Sequence, residues 1–118
     1  MTTQPANLLV LFSDEHNPKV LGAAGHPFIH TPNLDALASR GTRFARAYTP
    51  NPICVPARAS LAAGRYNFDI GYWDNADPYE GSVRSWHHAV REAGHAVVSI
   101  GKLHVRGLPG DATVSRRK

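Results

Sequence analysis

Cysteine is almost missing from this sequence: of 118 residues, only Cys54 carries a thiol. One thiol excludes an internal disulfide framework, so nothing here asks for an oxidising compartment. Long apolar runs are missing too. The run at residues 8–12 is too short for a signal-peptide core or a membrane span, and no positive stretch precedes it. A cytoplasmic chain that stays off membranes is the expectation. Clustered basic charge is also lacking. The formal net charge is +4, but Arg116, Arg117 and Lys118 supply three of it and the other Lys and Arg are scattered. That excludes the basic stripe of a nucleic-acid-binding face. Repeats, low-complexity tracts and a domain linker are absent. What remains is 42% hydrophobic residues, enough for one small globular domain and too many for disorder.

The apolar pattern predicts alternating elements. Residues 8–12 (Leu-Leu-Val-Leu-Phe) are continuously apolar, as in a strand buried on both faces. Thr31 as N-cap and Pro32 at the first position open a helix that Gly41 ends. Residues 42–48 alternate weakly and predict a second strand. Val55 or Pro56 opens another helix, stopped by Gly64. Residues 65–81 look irregular. Ser82 is expected to cap a helix through Glu92, and residues 95–100 are expected to form a third strand. Strand–helix alternation argues for right-handed crossovers and a parallel α/β sheet. A doubly wound sheet usually needs five or more strands, so three make it incomplete.

Chemistry collects where such a sheet binds ligands, beyond the C-terminal ends of its strands. Asp14 follows the first predicted strand, Cys54 the loop after the second, and Lys102 and His104 the third. Cys54 falls at a helix start, where free N–H groups and the helix dipole favour an anion. Arg58, four residues on, shares its helix face. A nucleophile, a positive helix end and a fixed cation together suit an oxyanion substrate. A lone Cys beside Pro is more often a small buried residue, so its neighbours must decide.

Those neighbours carry a resemblance. Cys54-Val55-Pro56-Ala57-Arg58 is similar to the Cys-X-Pro-X-Arg sequence that formylglycine-generating enzymes recognise in type I sulfatases, members of the alkaline phosphatase superfamily. Ala59 to Arg65 resembles the stretch that follows it there. Thr31-Pro32-Asn33-Leu34-Asp35, Gly41-Thr42-Arg43-Phe44 and Gly101-Lys102-Leu103-His104 resemble further family motifs, in family order. The likeness covers about residues 7–107, and residues 108–118 look atypical. The chain is therefore identified as the N-terminal portion of a sulfatase domain, choline-sulfatase-like.

The resemblance implies an alkaline-phosphatase-like α/β fold and a sulfuric ester hydrolase. Cys54 would be oxidised to formylglycine by a formylglycine-generating enzyme. Its hydrated form would attack the sulfur of a small sulfate ester with help from a divalent metal, Ca²⁺ by the hardness of carboxylate ligands. Asp14, Glu15 and modified Cys54 would face the metal. Arg58 would hold the diol, Lys102 a sulfate oxygen, and His104 would assist the collapse step. Many members carry two adjacent Asp where this chain has Asp14-Glu15. The family's other metal ligands come from farther along, so half a metal site is expected and the 118 residues alone are expected to be inactive. A phosphonate monoester or phosphodiester hydrolase of the same superfamily, and a non-catalytic fragment, are the alternatives. The aromatic loop Tyr72-Trp73-Asp74-Asn75 either lines a substrate pocket or packs on the surface. His16, His26, His30, His87 and His88 are read as surface, turn or packing residues.

Overall fold

The computed structural model describes residues 7–104. The basic end at Arg116, Arg117 and Lys118 and the atypical segment 108–118 lie outside the described residues. The chain divides into two compact units, Met1–Ala47 and Tyr48–Lys118.

The first unit holds a short 3-10 helix, Gly22–Ala24, and helix α1, Pro32–Arg40. α1 begins on Pro32 and ends before Gly41 as its sequence predicts. The expected Thr31 side-chain cap does not form, because that hydroxyl is used elsewhere. Thr31 Oγ1 donates to Asp35 Oδ1 at 2.8 Å and accepts from the N–H of Gly22 at 2.9 Å. Asp35 Oδ1 also accepts from the N–H of Ala23 at 2.7 Å. α1 is thereby tied to the 3-10 turn by a polar clasp. No described residue of this unit is buried, so the clasp rather than an apolar core defines it.

The second unit contains α2, Cys54–Ala63, the single turn α3, Asn67–Ile70, and α4, Trp86–Glu92. Its core is Val55, Ala59, Ala62, Tyr72 and Tyr79, with Ile70 and Val83 packed against them. The small Ala59 and Ala62 share this cluster with two tyrosines, Tyr72 and Tyr79, whose ring centroids lie 5.5 Å apart. Gly64 closes α2 at φ 65°, a left-handed conformation that glycine adopts without steric cost. α4 is capped by Ser85 rather than the expected Ser82. The Ser85 N–H donates to His88 Nδ1 at 3.1 Å and the His88 N–H faces the Ser85 side chain, closing a capping box, while Ser85 Oγ also lies 2.8 Å from Nδ1. Ser82 instead meets the Tyr72 hydroxyl at 3.2 Å.

The three predicted strands do not form among the described residues. Residues 8–12, 42–48 and 95–100 carry no ladder, and their large apolar side chains, half-buried Val97 excepted, are exposed. Among the described residues the predicted sheet is not seen, and the elements present are helices joined by loops. A strand exists only with a hydrogen-bonded partner, which a segment's own pattern cannot supply. No described helix is long and apolar enough to cross a membrane.

Candidate active site

The site is built on the start of α2. Ile53 is extended (φ −95°, ψ 143°) and Cys54 is the first helical residue, one earlier than expected. Four N–H groups at a helix start lack partners inside the helix. That of Ile53 donates to Asn51 Oδ1 at 2.8 Å, and that of Val55 to Asn75 Oδ1 at 2.9 Å. Pro56 has no N–H to place. Ala57 begins the helical ladder on Ile53 O at 3.0 Å. Val55, Pro56 and Ala59 face the core, while Cys54 and Arg58 lie half-buried, four residues apart on another face.

Lys102 comes to this face from 48 residues away. Its ammonium Nζ donates to Cys54 Sγ at 3.8 Å. Arg58 Nη1 donates to the backbone oxygen of Lys102 at 2.7 Å, so one helical cation fixes the backbone that carries the other. The bend that delivers Lys102 needs unusual backbone: Gly101 sits at φ 105° and His104 at φ 52°. His104 is half-buried, and its Nδ1 is buried with no hydrogen-bond partner among the described residues. Cys54, Arg58 and Lys102 are thus brought together. His104 shares their unit, with no hydrogen bond to Cys54 among the described residues.

Asp14 and Glu15 form an exposed turn of the first unit, Glu15 at φ 56°. No three His, Cys, Asp or Glu side chains among the described residues could hold a metal ion together. Of the expected set, Asp14 and Glu15 belong to the first unit and Cys54 to the second, and no chemistry is routed through a metal here. An open hollow of about 340 Å³ borders Gly71, Tyr72, Ala76, Asp77, Pro78 and Glu80, and includes none of the candidate site residues. Asn75, read from the sequence only as part of a loop that lines a substrate pocket or packs on the surface, accepts a hydrogen bond from the start of α2. Its partner lies 20 residues away, so no local signal reveals it. Asn51 accepts the N–H two residues on, a common turn arrangement.

A thiol at a helix start, with an ammonium beside it and a guanidinium on the same helix face, is an arrangement that favours an anion. Comparison with known proteins agrees. The Sulfatase family model matches residues 6–116. The choline-sulfatase of Rhizobium meliloti is 40% identical over 107 residues, 91% of this chain and 21% of that protein. The arylsulfatase of Clostridium perfringens is 36% identical over 103 residues, 84% of this chain and 21% of that protein. No solved structure matches. This chain belongs to the sulfatase family. It spans about a fifth of the length of the curated relatives it matches.

Proposed function

We propose that this chain carries the nucleophile and anion-binding part of a sulfuric ester hydrolase, with Cys54 converted to formylglycine. The observation that carries this reading is Lys102 Nζ at 3.8 Å from Cys54 Sγ, at the start of α2. Once formed and hydrated, the aldehyde supplies an oxygen nucleophile toward the sulfur of a sulfate ester. The residues around it do the electrostatic work. Lys102 places a full positive charge beside the position of Cys54 Sγ, where a sulfate oxygen carries negative charge. The α2 start adds its partial positive charge on the same side. Arg58 holds the Lys102 backbone, so that charge is placed before substrate arrives; preplaced cations lower the barrier without reorganising during the reaction. His104, with a buried free ring nitrogen, is the candidate proton carrier for the collapse step.

The finer features belong to the same proposal. The complete fold is α/β and alkaline-phosphatase-like. The metal is Ca²⁺, with Asp14 as a ligand and Glu15 beside it. The substrate is a small sulfate ester, and the modifying partner is a formylglycine-generating enzyme. Similarity to the choline-sulfatase favours the ester of a small alcohol.

The test replaces the matched segment of the Rhizobium meliloti choline-sulfatase with this chain and coexpresses it with a formylglycine-generating enzyme. The chimera should hydrolyse an aryl sulfate faster than an aryl phosphonate, and Cys54→Ala should abolish both. A folded chimera that is inactive, or a Cys54→Ala variant that still turns over, sinks the reading. The 118-residue chain alone should show no turnover.

A further inference from the structure

We infer that Asn75 is a positioning residue for the reacting centre: its carboxamide oxygen holds the N–H of Val55 and so fixes the turn that presents Cys54. The inference deepens the reading of Cys54 as the reacting residue and rests on it. The donors of that turn are otherwise accounted for. Asn51 takes the N–H of Ile53, and Pro56 offers none. Among the described residues, the N–H of Cys54 itself is the one donor of the turn with no protein acceptor. Asn75 therefore removes the competing donor next to the reactive residue and leaves a single backbone N–H at it.

The hold on this turn is two-sided. Asn67, buried to 4% exposure, donates through Nδ2 to the carbonyl of Pro56 at 2.8 Å. Asn75 grips the N–H side of the peptides after Cys54, and Asn67 the C=O side. The intervening Val55 and Pro56 side chains are in the core, at 4% and below 2% exposure. Cys54 is thus attached to a segment that cannot rotate about its helix axis without breaking two side-chain bonds. Asn75 sits on the exposed loop 73–77, itself tightened by the Asp74 carboxylate accepting from the N–H of Ala76 at 2.7 Å. Since the α2 N-cap residue is Ile53, whose side chain accepts nothing, a distant residue performs the capping that Ser, Thr, Asp or Asn usually performs locally.

The test measures amide hydrogen exchange in the full 118-residue chain for the wild type, Asn75→Ala and Asn75→Asp. The wild-type Val55 amide should be protected. Asn75→Ala should speed its exchange about five-fold or more relative to the Ala57 amide, the size of effect a lost N-cap acceptor gives. Asn75→Asp retains an acceptor oxygen of the same shape and should restore protection. A wild-type Val55 amide exchanging at an unstructured rate, an unchanged rate in Asn75→Ala, or no rescue by Asp overturns the inference. A second reading uses the choline-sulfatase chimera. There Asn75→Ala should lower kcat several-fold with KM nearly unchanged, whereas a raised KM alone would make Asn75 a substrate contact and overturn its positioning role. Exchange at Val55 does not depend on turnover, so failure of the sulfatase reading and failure of the Asn75 role are separately visible.

Discussion

At the scale of single residues, the site is a relay of contacts: Arg58 to the Lys102 backbone, Lys102 to Cys54. Lys102→Met keeps the length and removes the charge. In the active chimera it should lower kcat/KM about a hundred-fold or more, the scale on which a preplaced electrostatic group acts, as steady-state kinetics would record. A loss below ten-fold would place the ammonium outside the reaction. The clasp of the first unit makes a different single-residue prediction. A Cβ added at Gly22 would clash with the Asp35 carboxylate that the clasp holds in place. Gly22→Ala should destabilise that unit by about 1–3 kcal/mol and expose the Ala23 amide to exchange. The candidate site was largely legible at this scale. Cys54, Arg58 and Lys102 are marked by residue type, spacing and family likeness, and the structure brings them together. Asp14 is marked by its place after the first apolar run and by family likeness, Glu15 less so, and no group of three metal-ligating side chains forms among the described residues. Asn75 was not legible as a cap, because its bond joins residues that no local pattern relates.

At the scale of elements, helices were readable and strands were not. Pro32 and Gly41 bound α1, and Gly64 ends α2, because these residues act through their own backbone geometry. Gly64→Ala should therefore cost about 1 kcal/mol of thermal stability, the left-handed penalty of a non-glycine residue. α4 departs from expectation for an electrostatic reason: Ser85 has His88 three residues on to complete a capping box, and Ser82 is taken by Tyr72. α4 also carries a pH dependence. Burial holds the pKa of His87 below its ordinary 6.5, helped by the charges of Arg91 and His88. The Trp86 ring stacks on it with centroids 3.7 Å apart. A His with a lowered folded pKa favours the folded state fully above the unfolded value and loses that contribution as pH falls. The melting temperature should drop as pH goes below about 6.5, and His87→Gln should flatten the drop in that window. Glu92, bonded to Arg84, has its pKa lowered as well, and its contribution fades only farther into acid.

At the scale of the molecule, two units are stabilised by different means: a polar clasp in the first, a small aromatic and aliphatic core in the second. The segments that read as strands are the most exposed apolar parts, with Leu8 at 79%, Val98 at 81% and Ile100 at 92% exposure. Their apolar character was read correctly, but a sheet depends on pairing, and these three segments carry none among the described residues. Such surface should bind the dye ANS, and Val98→Lys with Ile100→Lys should reduce that fluorescence, whereas unchanged binding would mean these side chains are covered. The proposed function rests on one residue of one unit. The most direct measurement is peptide mass spectrometry of the chain coexpressed with a formylglycine-generating enzyme, reading the tryptic peptide that ends at Arg58. The account predicts that Cys54 has lost its sulfur and carries an aldehyde reactive toward hydrazides. An intact Cys54 thiol, freely alkylated in every copy, would contradict it.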